Sequence, residues 1–301
     1  MYYELDIDKL ADNDINNNEY DASEEIQSGI DNDLYFKYNS VNLVIGKRGS
    51  GKTYMVMREM LKLAHQMKIW NMGAKELDAD SNPRYTQIYY ITDKLRDDTC
   101  ERMRYYIEKL GLQFIWEKTE NALEIIQYVS AIKAFLADPS QYKEELQTPD
   151  FIQQCREALN INPIALSDAP LPHTVIIFDD CIGLFNKHSP LSKKLFENRQ
   201  SRITYFLILQ DVQGISPSMK ANVDSLVFFG GFPKHKWNSL MYQMPVVDSG
   251  YTYEGFYHWL KASDFVLFDY IDNRIYHKKR GEKEYILVFD SKDNKSLQIT
   301  T

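Results

Sequence analysis

The sequence predicts an α/β chain: a mostly parallel central sheet flanked by helices, with a small C-terminal extension that carries strands of its own. Two observations lead there. Short apolar runs alternate with helix-spaced segments between Val41 and Phe229, the order that parallel crossovers require. One of those runs ends at a glycine-rich segment, Gly46-Lys47-Arg48-Gly49-Ser50-Gly51-Lys52-Thr53, which opens a helical stretch.

The elements follow in order. Val41–Ile45 is a buried strand ending at glycine, and Lys52 to about Met67 is a helix whose stripe (Met55, Met57, Met60, Leu61, Ala64) reads as core. Strands are expected at Gln87–Thr92 and Gln113–Trp116, and helices at Thr99–Leu110 and Ala122–Leu136. From about Ala137 to Pro172 the chain is polar with five prolines, an excursion with a helix near 150–159. Then come a strand at Thr174–Phe178, a helix at Ser192–Gln200, a strand at Ile203–Leu209, a helix near Ser218 and a strand at Leu226–Phe229. Past Phe232 the order changes. Tyr253–Lys261 reads as helix, and Phe265–Asp269, Arg274–Lys278 and Tyr285–Asp290 as strands turned at Asp272-Asn273 and Arg280-Gly281. The expected organisation is an arm at 1–33, a core at 34–232 and an extension at 233–301 packed on the core.

The 301 residues are 44% hydrophobic and 26% charged, an ordinary globular composition. No run approaches the roughly 18–20 consecutive apolar residues of a membrane span. The acidic start, Met-Tyr-Tyr-Glu-Leu-Asp, lacks the order of a signal peptide. Cys100, Cys155 and Cys181 are odd in number and far apart, which points to buried thiols in a reducing compartment. The net charge of −8 is concentrated at the start. Residues 1–33 hold eleven acids against one lysine, which leaves the remaining chain at +2. With Asn13, Asn16, Asn17 and Asn18 this leader reads as a solvated arm, or else as a docking tail or a DNA-mimicking flap. The nearly neutral body is compatible with DNA binding, because a ring needs basic surface only at its pore.

Gly46 to Thr53 matches the full GxxxxGK[ST] pattern between a strand and a helix, the context in which it cradles phosphate. Glycines let main-chain N–H groups converge on phosphate oxygens, and the helix start adds positive potential. Lys52 is expected to reach the β- and γ-phosphates of ATP and the Thr53 hydroxyl to ligate Mg2+. Gly46, Lys47, Arg48, Gly49, Ser50, Gly51 and Tyr54 complete the expected binding segment; Lys47 and Arg48 also fit simple solvation. The run Val175-Ile176-Ile177-Phe178 delivers Asp179 and Asp180 to the sheet edge where ligands bind. Alternation along the strand would separate their tasks: Asp179 for the Mg2+ shell and Asp180 to polarise the attacking water. An acidic strand–loop junction is the plain structural alternative.

A third apolar run, Ile203–Leu209, ends in Gln210. With Arg199-Gln200-Ser201-Arg202-Ile203-Thr204 before it and Pro217-Ser218-Met219-Lys220-Ala221-Asn222-Val223-Asp224 after it, the set resembles the FtsK/HerA superfamily of DNA-pumping ATPases. Within that superfamily it is most similar to the genome-packaging ATPases of poxviruses and other large DNA viruses. The likeness runs over roughly residues 40–232. It implies a RecA-like core, a sensor role for Gln210, and a homo-oligomeric ring, pentameric or hexameric. It also implies duplex DNA and a capsid or portal-vertex protein as partners, and work at a viral assembly site in the host cytoplasm or in the virion. Two departures stand out: many members carry Asp-Glu where this chain has Asp179-Asp180, and the family histidine after the arginine is Gln200 here.

Arg202 and Gln210 flank one strand, so eight steps of about 3.3 Å separate them by about 26 Å. Arg199 or Arg202 would therefore meet a γ-phosphate only across a subunit boundary, as a finger in trans; the alternative is an arginine satisfying helix-end carbonyls. A sequence-indifferent motor grips phosphates, and Lys187, His188, Lys193, Lys194, Lys234, Lys236 and Lys278-Lys279-Arg280 are the candidates. A genome-packaging translocase is the leading expectation. The others are another FtsK/HerA-like translocase or assembly ATPase, and a nucleotide-gated structural switch that hydrolyses poorly.

Overall fold

The computed structural model describes residues 36–73, 85–94, 98–161, 171–186, 189–195, 201–211, 215–242, 244–245, 265–278, 286–290 and 295–296, with single residues between them. The acidic leader and the Arg280-Gly281 turn lie outside the described residues, as does all but Tyr257 and Leu260 of the helix expected at Tyr253–Lys261.

Ten strands hydrogen-bond in the order β10-β9-β8-β7-β6-β1-β5-β4-β2-β3. They are β1 (Val41–Ile45), β2 (Tyr85–Ile91), β3 (Gln113–Glu117), β4 (His173–Asp179), β5 (Ile203–Leu209), β6 (Ser225–Phe229), β7 (Phe265–Asp269), β8 (Arg274–Lys278), β9 (Ile286–Asp290) and β10 (Lys295–Ser296). The helices are α1 (Lys52–Gly73), α2 (Asp98–Lys109), α3 (Ala122–Ala137), α4 (Pro149–Ala158), α5 (Pro190–Leu195), α6 (Pro217–Lys220) and α7 (Lys234–Met241). The chain forms two compact units.

One unit gathers Ser40–Val56, Phe178–Phe196 and Tyr205–Thr301. Here β1 runs parallel to β5 and to β6, with Ile45 opposite Leu209 and Phe228. All five residues of β1 are buried, as parallel strands covered on both faces require. The one polar residue among them, Asn42, is satisfied: its amide donates to Ser40 Oγ (2.8 Å) and to the Tyr205 carbonyl (3.1 Å), and its oxygen accepts from Ser225 Oγ (2.7 Å). Beyond β6 the sheet turns antiparallel through β7, β8, β9 and β10. Trp237 of α7 is fully buried, its ring centroid 4.6 Å from that of Phe228.

The other unit gathers Met1–Asn39, Met57–Ile177 and Glu197–Thr204. Its β2 and β3 pair in parallel, joined by α2. Within the described part of the polar excursion, Thr148 Oγ1 accepts from Phe151 N (3.3 Å) ahead of Pro149, the capping pattern that starts α4. Phe135 is fully buried between the rings of Tyr142 and Phe151. Strands β4 and β5 are parallel, because Thr174 N bonds the Arg202 carbonyl and Asp180 N the Ile208 carbonyl, stepping in the same direction. This strand order, with the glycine-rich loop leaving the carboxyl end of β1, is a P-loop NTPase fold.

The helix expected over Ser192–Gln200 is shorter: α5 covers Pro190–Leu195, and Glu197 and Arg199 sit in turns. Those turns close on Arg202, whose φ of 49° no right-handed helix contains.

Candidate nucleotide-binding site

Neighbouring strands bring their carboxyl ends together, all within the first unit. The loop leaves β1 with Gly46 N bonded to the Leu209 carbonyl (3.2 Å), which seats it beside the end of β5. Asp180 N bonds the Ile208 carbonyl (2.9 Å), which seats the end of β4 on the other side of β5. The loop folds on itself through Ser50 N to the Lys47 carbonyl (3.2 Å), and Met55 N bonds the Gly51 carbonyl (2.9 Å) as α1 begins. Gly46 is required by space. A Cβ there would lie 2.5 Å from Ser50 Oγ, 2.8 Å from Phe229 Cβ and 3.1 Å from Lys52 Cγ. Gly49 is required by conformation, with φ at 77°.

The side chains converge. Lys52 is buried at 6% exposure and its ammonium donates to the carbonyls of Gly46 (2.6 Å) and Lys47 (2.8 Å). Thr53 Oγ1 donates to Asp179 Oδ2 at 2.9 Å. Gln210 Nε2 donates to Asp180 Oδ2 at 2.6 Å. The Ser50 hydroxyl is buried with no hydrogen-bond partner, a donor held inside the loop. Lys47, Arg48 and Tyr54 are exposed, Tyr54 at 54%.

Asp179 and Asp180 do diverge, but not through strand alternation. Asp179 is the last residue of β4, whereas Asp180 has already left it with φ at 64°, a left-handed geometry rare outside glycine. That turn aims the second carboxylate at Gln210. The pairing of Asp180 with Gln210 has no signature in residue spacing; it follows from the adjacency of β4 and β5.

The remaining sequence candidates differ in burial and in partners. Arg202 is buried at 8% exposure and donates through Nη1 to the Leu171 carbonyl (2.7 Å), so it serves the structure at the start of β5 and is no finger. Arg199 is exposed. Lys278 is buried at 8% exposure, which removes it from a DNA-gripping surface, while Lys187, His188, Lys279 and Arg280 lie outside the described residues. Lys193 and Lys234 are exposed; Lys194 and Lys236 are half-buried. Much of the Pro217–Asp224 stretch is structural. Ser216 caps α6 ahead of Pro217, Met219 is fully buried, and Asp224 Oδ2 accepts from Val41 N at 2.7 Å.

Thr53 and Asp179 present two adjacent oxygen atoms, a pair that would suit a Mg2+ keeping waters and phosphate oxygens in its remaining positions. Among the described residues there is no cluster of three or more His, Cys, Asp and Glu side chains that could hold a metal ion by itself. No helix among them is long and apolar enough to cross a membrane.

The sheet and the loop together have the architecture of the P-loop NTPase fold. Among solved structures, the chain is similar to B204, the DNA-packaging ATPase from Sulfolobus turreted icosahedral virus, at 13% identity and a TM-score of 0.48, covering 80% of this chain and 97% of that one. It is similar to the genome-packaging NTPase B204 from Sulfolobus turreted icosahedral virus 2, in complex with AMPPCP, at 14% identity and a TM-score of 0.47, with 80% and 97% covered. The N-terminal domain of zonular occludens toxin from Neisseria meningitidis is more distant, at 12% identity and a TM-score of 0.26, with 64% and 77% covered. No family model matches the sequence, and no curated protein is significantly similar to it.

Proposed function

We propose that this chain is an ATP-driven motor that packages viral duplex DNA, hydrolysing ATP with Mg2+ at the β1 loop. The observation that carries the hydrolytic part is the pairing of Thr53 with Asp179 beside the pairing of Gln210 with Asp180. The first pair fits a metal-binding role, and the second sets an amide donor against a carboxylate suited to act as a base. A loop that only binds nucleotide has no use for the second.

In this reading the loop N–H groups and the Lys52 ammonium take the β- and γ-phosphates, with Lys52 exchanging its carbonyl partners for phosphate oxygens. Thr53 and Asp179 would hold Mg2+, which when bound would supply positive charge against the phosphates. Asp180 orients a water in line with the γ-phosphorus and accepts its proton as the new P–O bond forms and the bond to the β-phosphate oxygen breaks, giving ADP and phosphate. Gln210 senses the γ-phosphate, because it can donate either to Asp180 or to a phosphate oxygen. Arg199 lies before β5 and Gln210 after it, so an Arg199 acting on the γ-phosphate comes from the neighbouring subunit of a homo-oligomeric ring.

The DNA part of the proposal rests on the ordered likeness of residues 199–224 to DNA-pumping ATPases. The test is the ATPase rate with and without duplex DNA on full-length protein of known mass in solution. Turnover by an oligomer, stimulated by duplex, is the expected result. Turnover without any DNA response would leave a nucleotide-gated structural role, and a strictly monomeric active enzyme would remove the ring.

A further inference from the structure

The side of the loop that faces β6 carries a concentration of positive charge. Because Ile45 is opposite Phe228, Gly46 and Lys47 emerge beside Phe229 and Gly230. The Lys47 side chain runs along Gly231, its Cδ 3.9 Å from the position a Cβ would take there. Three residues later α7 opens with Lys234, His235 and Lys236, has no acid in its first turn and has no side-chain cap from Pro233. Lys47, Arg48, Lys234 and His235 are exposed. A helix start is where negative side chains are stabilising and positive ones are not, so helix stability does not account for this sequence. Two separate segments nonetheless place cations on the same ledge.

We infer that this ledge, formed by Lys47 and Arg48 on the loop and by Lys234, His235 and Lys236 on α7, is the surface that grips the phosphodiester backbone of duplex DNA. The inference rests on the motor reading above and names the contact that reading leaves open. The fit is one of chemistry: exposed cations from two chain segments suit a polyanion gripped without reading its bases. The nucleotide's own phosphates have Lys52 and the loop N–H groups, so the ledge provides a second, adjacent track for anions. The ledge also reaches the residue that follows Gln210, the partner of Asp180. Lys236 pairs with Asp211 at 2.5 Å, and Asp211 follows Gln210, which donates to Asp180. A backbone phosphate that draws Lys236 away from Asp211 acts on the residue next to Gln210, a short route from DNA contact to turnover.

The experiment measures binding of a fluorescent DNA duplex to the full-length chain across a series of salt concentrations, together with ATP turnover. The variants are Lys234→Ser/His235→Ser and, as a control on another basic pair, Lys193→Ser/Lys194→Ser. The ledge variant should bind duplex about tenfold more weakly, with the slope of log K against log salt shallower by about 1 for the lost lysine. Its turnover without DNA and its KM for ATP should match wild type, while stimulation by DNA falls. The control should bind like wild type. Unchanged duplex affinity and salt slope in the ledge variant would overturn the inference while leaving the motor reading standing. So would a raised KM for ATP with intact DNA binding, which would make the ledge part of the nucleotide site, or an equal loss in the control. Wild-type protein that hydrolyses ATP and binds no duplex would overturn both.

Discussion

Gly46 and Gly49 belong to the same loop but are glycine for different physical reasons, and substitution separates them. A methyl at Gly46 would sit 2.8 Å from Phe229 Cβ. Carbon atoms in contact prefer about 3.5–4.0 Å, so the overlap is about 0.7–1.2 Å. Ser50 can rotate its hydroxyl away, but Phe229 Cβ is fixed by β6, which pairs with both β1 and β7. Relief therefore requires a backbone shift, and Gly46→Ala should cost about 1–3 kcal/mol, the range for overpacking. At Gly49 nothing lies within 4 Å of the added Cβ, and the cost is the left-handed φ, about 1–2 kcal/mol for Ala. Asn tolerates that backbone region and is larger than Ala. Gly49→Asn should therefore be more stable than Gly49→Ala, while Gly46→Asn should be less stable than Gly46→Ala. Urea unfolding of the four variants without nucleotide measures the stability order, and fluorescent ATP-analogue binding measures loop function in parallel. Gly46→Asn as stable as wild type, or Gly49→Asn no better than Gly49→Ala, would refute the argument.

Lys52→Ala should reduce ATP hydrolysis to background in a protein whose unfolding curve shows it folded; near-normal turnover would remove the nucleotide site as read. Asp180→Asn should abolish turnover yet keep Mg·ATP binding, whereas Asp179→Asn should weaken the metal-dependent part of binding; titrations with the two phenotypes exchanged would reverse the assigned roles. Arg199→Ala should bind ATP and hydrolyse it slowly, and mixing it with Lys52→Ala should restore activity where an intact loop meets an intact arginine; full activity of Arg199→Ala alone would remove the trans role. Burial, reinforced by the Arg202 guanidinium, holds the Lys133 ammonium well below its ordinary 10.5. The unfolded chain then binds the proton that the folded one lacks, so wild-type stability rises with pH through the window below about 10.5 and is lost as pH falls. Lys133→Met removes that dependence, and its stability advantage over wild type should shrink as pH rises, by up to about 1.4 kcal/mol per pH unit. Parallel stability–pH curves from urea unfolding would contradict this.

Much of the fold was legible because its signals are local. An apolar run closed by a glycine, a GxxxxGKT segment and a helical stripe each report on neighbours within a few turns of chain, which is how β1, the loop and α1 could be read directly. The runs ending in Asp179 and Gln210 were legible for the same reason, since a buried parallel strand must deliver its last residue to the ligand edge. What tertiary structure alone decided are the matters that depend on register between distant segments. Thr53 meets Asp179 across 126 residues, and Gln210 meets Asp180 only because β5 lies beside β4. The left-handed turn that aims Asp180, and the burial that turns Arg202 from a candidate finger into a structural donor, are set by packing and leave no periodicity to read. The same holds for α7, an eight-residue helix whose basic start gives no helix-start signal, and for the Lys236–Asp211 pair. Composition supplies the charges; which of them share an edge is fixed by the strand order.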